Sequence, residues 1–144
     1  QQGDALRLNI TKAVDMLTKD LIYKETGLDA GQKVVLCRNL KNSVGDVVLR
    51  RRIHGDTAYH LAVVLDDYDQ NITRVVRGQD LEDATQIHVL LLSLLGLRIP
   101  EFHHHNLIRD KERKRLAKRS DAKAIAKYRS NGASPADIRR LIGL

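Results

Sequence analysis

Two apolar runs, at 61–65 and 72–76, lie in the middle of the chain on either side of an acidic and polar stretch at 66–71. Tyr59 stands just before the first run, and Arg77 directly follows the second. Short apolar runs bounded by polar residues are typical of buried strands. The pattern therefore predicts a buried sheet whose strand ends carry Tyr59 and Arg77 into a crevice.

The segments before this stretch show shorter patterns of both periods. Ile10, Val14 and Leu17 recur at helical spacing, which predicts a helix. Glycines at 27 and 31 belong to a turn between two β-type runs. The predicted elements are an edge strand at 6–9, a helix at 10–19, and strands at 21–23, 34–36 and 47–49.

The most regular helical pattern runs from Asp83 to Gly96. Its apolar residues line one face, and Val89 and Leu92 lie off that face, so we expect the helix to be buried on more than one side. Asp83 and Gln86 have the spacing of a capping box, and Gly96 suits the C-terminal end. The apolar stripe consists of Ile87, Leu90, Leu91, Leu94 and Leu95.

The rest of the chain predicts a strand at 101–108 and a small helical tail. One short helix is expected to begin at Ser120-Asp121 and to end at Asn131-Gly132. A second begins with Ser134 as N-cap and has Pro135 in its first turn. Strand, tight turn and buried helix together indicate the second half of an open α/β sheet.

The composition is that of a globular domain with an uneven positive charge. The 144 residues carry 25 Lys and Arg against 18 Asp and Glu, and the segment 109–119 concentrates the excess. This net charge of +7 leans toward a polyanionic partner such as nucleic acid or nucleotide phosphate. No apolar run approaches the roughly 20 residues of a membrane helix, so we expect no membrane partner. The single cysteine, Cys37, excludes an internal disulfide and a cysteine-rich zinc site, and it fits a reducing, cytoplasmic location.

Two clusters of titratable residues have both a chemical and a structural interpretation. His103, His104 and His105 suggest a metal site, but alternate residues of a strand face opposite sides, so the three cannot converge on one ion. Packing histidines are the better interpretation, and no metal site is predicted. Asp66 and Asp67 could form a catalytic pair, although such acids more often mark a turn or a helix start, where carboxylates are favoured.

Two other features stay open on the residues alone. The basic segment 111–119 is either a solvated surface or a mobile loop whose lysines neutralise phosphate charge during nucleotidyl transfer. Tyr59 and Arg77 either recognise a small acidic ligand together, with the arginine as a bidentate fork for a carboxylate, or have structural roles. In the structural interpretation, Arg77 pairs with a nearby acid such as Asp80.

Several ordered motifs make the chain similar to a known family. Residues 59–67 read Y-H-L-A-V-V-L-D-D, residues 72–81 read I-T-R-V-V-R-G-Q-D-L, residues 100–105 read P-E-F-H-H-H, and residues 115–119 read R-L-A-K-R. In this order and spacing they resemble the glutamyl-tRNA synthetase family of class I, most strongly from 45 to 119. The resemblance is greatest to the shortened branch of the family, which transfers glutamate to queuosine in the anticodon loop of tRNA(Asp).

The resemblance implies an enzyme that uses ATP, together with Mg²⁺, to activate L-glutamate as glutamyl-adenylate and then transfers the glutamate to tRNA. Tyr59 and Arg77 fall on the glutamate-contacting Tyr and Arg of the family, and Lys118 falls on its ATP-contacting, catalytic lysine. His104 aligns with a family histidine that has no metal role. The KMSKS-type loop of the family corresponds to Arg115, Leu116, Ala117, Lys118 and Arg119. Ala117 stands where a serine is usual, so a hydroxyl contact is lost while the lysine is kept.

By this resemblance the fold is α/β: the second half of a class I Rossmann-type catalytic domain, with a β-rich connecting insertion before it and short C-terminal helices after it. Residues 1–58 are expected to form the insertion, 59–119 the second half of the nucleotide-binding fold, and 120–144 the helical tail. The HIGH-type motif, the first nucleotide-binding half and any zinc site are expected upstream of Gln1. We therefore expect the 144-residue chain alone to be inactive, and its parent to be a monomer.

Two alternatives stay open. One is a truncated glutamyl-tRNA synthetase that charges the acceptor end of tRNA. Such an enzyme is expected to carry a large helical anticodon-binding domain beyond Leu144, so the early ending favours the shortened branch. The other is a non-catalytic nucleic-acid-binding module that has kept the fold.

Overall fold

Short strands and helices alternate along the chain in a computed structural model that describes residues 4–52, 55–109 and 124–142. The chain divides into two units, residues 1–106 and 107–144. The strands of the first unit are β1 (Leu6–Leu8), β2 (Leu21–Glu25), β3 (Gly31–Val35), β4 (Val47–Arg50), β5 (Arg74–Gly78) and β6 (Glu101–His105). Its helices are α1 (Ile10–Asp15), α2 (Cys37–Ser43), α3 (Tyr59–Asp69) and α4 (Glu82–Leu94).

Four of the strands form the main sheet, in the order β3-β2-β6-β5. β5 and β6 run parallel, as the crossover through α4 requires, and Arg77 lies beside His104 in their register. β2 forms an antiparallel hairpin with β3 and meets β6 in parallel where Glu25 pairs with Phe102. Because side chains alternate along a strand, this register brings Glu25, His104 and Arg77 to one face of the sheet. β1 and β4 form a separate antiparallel pair.

Directly after β2, the chain passes very close to β6. The amide of Thr26 donates to the carbonyl of Phe102 at 2.8 Å, and the amide of Leu28 donates to the carbonyl of His104 at 3.0 Å. A Cβ atom at Gly27 would lie 2.2 Å from the carbonyl oxygen of His104. Only glycine fits at this point of the predicted turn, because any side chain would collide with backbone.

Helix α4 covers the inner face of the sheet. Val89 and Leu90 are buried in the main core cluster, whereas Leu91 and Leu92 pack with Val64 of α3 in a second cluster. The expectation that this helix is buried on more than one side is thus confirmed. Leu95 departs from the predicted stripe, since it is 47% exposed at the end of the helix. The other buried members of the main cluster are Ile10, Val14, Leu21, Tyr23, Val35, Leu40, Val47 and Phe102.

The prediction of a strand at 61–65 was wrong, because this run lies inside α3. Five apolar residues in a row do not distinguish a buried strand from one side of a helix. In the helix, Val64 is buried and the adjacent Leu65 is 36% exposed. The second run was correctly predicted to form a strand, but β5 is shifted: Ile72 and Thr73 precede it, and it includes Arg77 and Gly78.

Three residues of the central stretch therefore differ from their predicted structural position. Tyr59 is the first residue of α3 and does not end a strand. Asp66 and Asp67 lie in the last third of the helix, so their interpretation as a turn or a helix start was also wrong. The helix continues through Asp69 and ends inside the polar stretch, where Gln70 is the C-cap and Asn71 has a φ of 56°.

The predicted capping box at Asp83 is not formed. A 3-10 turn at Gln79–Leu81 leads directly into α4, so the N-cap is Leu81 and no side chain caps the helix. Helix α2 was not predicted at all. The predicted strand at 101–108 is confirmed in its first five residues, which form β6.

The second unit contains two described helices, α5 (Ile125–Ser130) and α6 (Pro135–Leu141). The predicted end of the first helix and the predicted start of the second are confirmed. Asn131 is the C-cap of α5, and Ser134 caps α6 in a reciprocal capping box with Asp137. The predicted start at Ser120-Asp121 lies outside the described residues. In the described parts of the chain, no helix is long and apolar enough to cross a membrane.

The outer face of the main sheet carries exposed apolar side chains. Ile22 and Val34 are cross-strand neighbours on β2 and β3, and they are 52% and 56% exposed. Val76 on β5 is 63% exposed. Parallel strands are normally covered on both faces, whereas here the helix α4 covers only the inner one.

Candidate functional site

The candidate site is built around Arg77, near the carboxyl end of β5. The neighbouring parallel strand β6 places His104 beside it, and α4 places Thr85 and His88 above it. Ligands of open α/β sheets bind beyond the carboxyl ends of the strands. The position of Arg77 is therefore one at which such folds carry their chemistry.

Each nitrogen of the Arg77 guanidinium group is held by a different side chain. Nε donates to Nε2 of His104 at 3.2 Å, Nη1 donates to Nδ1 of His88 at 3.0 Å, and Nη2 donates to the hydroxyl of Thr85 at 2.6 Å. Nη1 and Nη2 each carry a second N–H beyond these bonds, because the group has five donors. A pair of such N–H groups matches the two oxygens of a carboxylate.

Phe102 supports the guanidinium group from the sheet. The carbon centre of the group lies 5.1 Å from the ring centroid of Phe102, a cation–π contact. The ring of His104 is parallel to the same phenyl ring at 6.2 Å. Burial lowers the pKa of Arg77 from its ordinary value, while the nearby Tyr59 and Asp67 act in the opposite direction.

His104 is joined to a buried carboxylate on the far side from Arg77. Its Nδ1 lies 2.6 Å from Oε2 of Glu25, and the side chains of both residues are only 1% exposed. Oε1 of Glu25 accepts from the amides of Thr26, Gly27 and His104 at 3.1, 2.7 and 3.0 Å. Burial raises the pKa of Glu25, but the hydrogen bonds from His104 and Gly27 outweigh it and leave the pKa below its usual value.

His88 continues the network toward the surface. Its Nε2 lies 3.1 Å from Nδ1 of His60 in α3. Burial, together with the charge of Arg77, lowers the pKa of His88 to about 3. Burial also lowers the pKa of His60. Both imidazoles are therefore neutral at physiological pH.

Tyr59 and Asp67 border this network on α3. Tyr59 is 45% exposed, and its ring makes edge contacts with the rings of His60 and His88 at centroid distances of 5.3 and 5.8 Å. Burial raises the pKa of Asp67, and the charge of Arg77 opposes this. The site thus combines a buried cation with a partly accessible tyrosine.

Of the residues proposed from the sequence, Tyr59 and Arg77 come together, because both contact His88. The KMSKS-type residues, Arg115 to Arg119 with Lys118 among them, lie outside the described residues. His103, His104 and His105 follow the predicted alternation, with His104 buried and facing Arg77. No group of three or more His, Cys, Asp or Glu side chains suited to a metal ion occurs in the part of the chain that the structure describes.

The supporting residues of the site were not found from the sequence. Thr85 and His88 are polar residues on a buried helix face, and Glu25 follows Leu21 and Tyr23 on the inner side of β2. A polar residue at an apolar position of a periodic pattern is the one signal that could have found them. Their convergence depends on the pairing of β2 with β6, which connects segments 77 residues apart at Glu25 and Phe102.

Residues 3–144 match the family of class I tRNA synthetases (E and Q), catalytic domain. The chain belongs to this family. Its mixed α/β fold with a parallel sheet agrees with that assignment, and the resemblance noted in the motifs is confirmed.

Several similar proteins are glutamyl-Q tRNA(Asp) synthetases or glutamate–tRNA ligases. The chain is 54% identical over 141 residues to a glutamyl-Q tRNA(Asp) synthetase of Rhodobacter capsulatus, covering 97% of this chain and 49% of that protein. It is 42% identical over 94 residues to a glutamate–tRNA ligase of Oleidesulfovibrio alaskensis, covering 65% and 20%. A crystal structure of a glutamate–tRNA ligase from Elizabethkingia meningosepticum in complex with its amino acid matches with a TM-score of 0.57 and 32% identity over 72% of this chain and 19% of that one. The chain thus spans about half the length of the first relative and less of the others.

Proposed function

We propose that this chain is part of an ATP-dependent enzyme that forms glutamyl-adenylate and transfers the glutamate to queuosine of tRNA(Asp). The observation that carries this proposal is the buried guanidinium group of Arg77, held by three side chains at the carboxyl end of β5. The identity of 54% to a glutamyl-Q tRNA(Asp) synthetase over nearly the whole chain supports the choice of branch.

In this proposal Arg77 and Tyr59 bind the amino acid. The second N–H groups of Nη1 and Nη2 donate to a carboxylate of glutamate, and the partly exposed hydroxyl of Tyr59 provides a neighbouring polar contact. Burial leaves the positive charge of Arg77 poorly solvated. The attraction between this charge and a carboxylate is therefore stronger than it would be in water. The other carboxylate stays free to attack the α-phosphate of ATP, which releases pyrophosphate.

ATP is the second substrate in this proposal, and Lys118 stabilises its phosphates. A cation at this position offsets the negative charge that develops on the leaving pyrophosphate. Mg²⁺ accompanies ATP in reactions of this kind. The described residues contain no group suited to a metal ion, so we assign no metal ligand to them. We propose that any zinc site of the parent lies upstream of Gln1.

We propose further that the chain supplies the second half of the catalytic domain, with 1–58 as the connecting insertion, 59–119 as the half-domain and 120–144 as the tail. Val76 on the outer face of the parallel pair β5–β6 is 63% exposed, which supports this, because parallel strands are normally covered on both faces. The span of half the length of a relative supports it as well. The chain by itself then lacks half of the ATP site and is inactive.

Glutamate-dependent ATP–pyrophosphate exchange by the full-length parent tests the site. We expect Arg77→Ala to abolish exchange and Arg77→Lys to lose most of it, because lysine keeps the charge without the bidentate fork. Arg74→Ala is the matched control, since Arg74 lies on the same strand but is exposed and paired with Glu101. Near-normal exchange by the Arg77→Ala protein would remove Arg77 from the site. Exchange by the purified 144-residue chain would contradict its proposed inactivity.

A second function, the charging of the acceptor end by a glutamyl-tRNA synthetase, is favoured by the matches to glutamate–tRNA ligases. Transfer of labelled glutamate separates the two. We expect the full-length parent to label tRNA(Asp) that contains queuosine, and to leave queuosine-free tRNA(Asp) and tRNA(Glu) unlabelled. Labelling of tRNA(Glu) would decide for the second function. Failure to form adenylate at all would leave a nucleic-acid-binding module.

A further inference from the structure

The direction of each hydrogen bond around Arg77 follows from the chemistry of the groups. A guanidinium group only donates, so Nε2 of His104 must accept from Nε of Arg77. The ring proton of a neutral His104 then sits on Nδ1, which faces Oε2 of Glu25 at 2.6 Å. An ionised carboxylate only accepts, so the two ends of the imidazole are matched to their partners.

The same reasoning gives the hydrogen-bond directions from Arg77 through His88 to His60. Nδ1 of His88 accepts from Nη1 of Arg77, so the proton of the neutral ring sits on Nε2. That N–H points to Nδ1 of His60 at 3.1 Å, which accepts it. The hydroxyl of Thr85 accepts from Nη2 of Arg77 and lies 3.1 Å from Nε2 of His104. Each of these hydrogen bonds thus pairs a donor with an acceptor, and the Thr85 hydroxyl can donate to the carbonyl of Leu81 at 3.4 Å.

We propose that Glu25, His104 and His88 are positioning residues that orient the Arg77 guanidinium group for its ligand. Glu25 determines the tautomer of His104, and the two histidines together hold Nε and Nη1 of Arg77. That the ligand is the carboxylate of glutamate rests on the proposed function. The network itself rests only on the contacts described above.

Orientation matters because arginine is long and has many rotamers. Holding such a side chain in one geometry before the ligand arrives removes an ordering cost from binding. The residues that do this come from different parts of the fold: Glu25 from the hairpin β2–β3, His104 from β6 and His88 from α4. The hairpin of the connecting insertion is thereby part of the amino-acid site, although it does not contact the ligand.

Glu25→Gln tests the polarity of the network with almost no change in shape. A glutamine amide can present its oxygen either to the three backbone amides or to His104, but not to both. If the amide nitrogen faces Nδ1 of His104, the ring proton must move to Nε2. Two donors, Nε2–H of His104 and Nε–H of Arg77, then face each other, and the guanidinium group loses its partner.

For the full-length parent, we expect Glu25→Gln to raise the KM for glutamate at least tenfold in ATP–pyrophosphate exchange, with the KM for ATP changed less than twofold. Glu101→Gln is the matched control, because Glu101 lies on β6 but forms solvent-facing ion pairs with Lys24 and Arg74. It should leave both KM values within twofold. A folded Glu25→Gln protein with an unchanged KM for glutamate overturns the proposal.

His104→Gln provides a second variant whose amide oxygen can still accept from Nε of Arg77. If Glu25 acts through the tautomer of His104, its replacement should matter little once His104 is a glutamine. We therefore expect the KM for glutamate of the double variant Glu25→Gln, His104→Gln to lie within twofold of that of His104→Gln alone. If the factors by which the two single variants raise the KM for glutamate multiply in the double variant, Glu25 does not act through His104.

The tautomers can be read without any variant, by nitrogen-15 NMR of the histidine rings in the full-length protein. We expect the Nδ1–H form for His104 and the Nε2–H form for His88, and the opposite form of either ring overturns the network. This readout also decides the question if Glu25→Gln does not fold. Normal exchange by an Arg77→Ala protein would contradict the proposed function but not the hydrogen-bond network. The tautomers that test the network are measured independently of activity.

Discussion

Glu25 and Arg77 lie on strands that do not touch, and the two ring nitrogens of His104 join them, at 2.6 Å to the carboxylate and 3.2 Å to the guanidinium group. The negative and the positive charge are thus held apart by one neutral ring. A direct ion pair would occupy the N–H groups of Arg77 with a protein carboxylate. The indirect arrangement balances the buried charge and leaves donors for a ligand.

The hydroxyl of Thr85 is the partner of Nη2 in this arrangement, and its loss should be costly. Thr85→Val keeps the shape of the side chain but leaves a buried N–H of Arg77 without its acceptor, so we expect the free energy of unfolding to fall by about 1–3 kcal/mol. Thr85→Ser keeps the hydroxyl and should cost less. Urea denaturation of the three proteins measures this. Equal losses for Val and Ser would indicate that the methyl group, and not the hydroxyl, matters.

Stability should fall as the pH falls below about 6.5, because His88 stays neutral in the folded protein. Its pKa is about 3 when folded against 6.5 in the unfolded chain. Between these values the unfolded state binds more protons, so the contribution that is fully present above pH 6.5 is lost at about 1 kcal/mol per pH unit. His60, whose pKa is also lowered by burial, acts in the same direction.

Urea denaturation at pH values between 7 and 5 measures this slope. Carboxylates with lowered pKa, such as Glu25, lose their contribution only below 4.5 and do not interfere. His88→Gln should reduce the slope, whatever its effect on stability at pH 7, and exposed His105→Gln is the control. Asp67, whose pKa is raised, acts in the opposite direction equally in all these proteins. The same slope in the His88→Gln protein would contradict the assignment.

The strand β5 with Arg77 near its end could be predicted, because residues 72–76 are rich in β-branched side chains and a glycine follows at 78. The helical structure of the run at 61–65 could not be predicted. It depends on packing against Leu91 and Leu92 of α4, and five apolar residues in a row do not reveal such distant partners. The family motifs identified Tyr59 and Arg77 together, and the structure brings both to His88. Their assigned roles stay predictions.

The supporting network was beyond sequence reasoning for a different reason. Glu25 and His104 meet near Arg77 only in one register of β2, β5 and β6, and Thr85 reaches Arg77 only through the packing of α4. Register and helix packing are both tertiary properties. Taken singly, each has polar neighbours in the sequence, as Glu25 has in Lys24 and Thr26, so none of them stands out. Local patterns do not show which of them meet.

Gly27 should be one of the least replaceable residues, because it lies against the backbone of β6. A Cβ atom there would lie 2.2 Å from the carbonyl oxygen of His104 and 2.8 Å from its nitrogen. We expect Gly27→Ala to lower the free energy of unfolding by about 3 kcal/mol or more. Gly45→Ala is the control, since φ is +43° there but nothing lies within 4 Å, so strain alone should cost about 1–2 kcal/mol. Equal losses for the two variants would contradict the close approach of β2 and β6.

The outer face of β5 offers a test of the half-domain proposal. If another part of the parent covers Val76, Val76→Asp buries an unpaired carboxylate in the full-length protein and should lower its melting temperature markedly. In the isolated 144-residue chain, where Val76 is 63% exposed, the same substitution should have little effect. Met16→Asp is the matched control, because Met16 is 75% exposed at the end of α1, and we expect it to be tolerated in both proteins. The melting temperatures of the unsubstituted protein and the two variants are measured at both chain lengths, six proteins in all. If Val76→Asp lowers the melting temperature equally at both lengths, no other part of the parent covers the outer face.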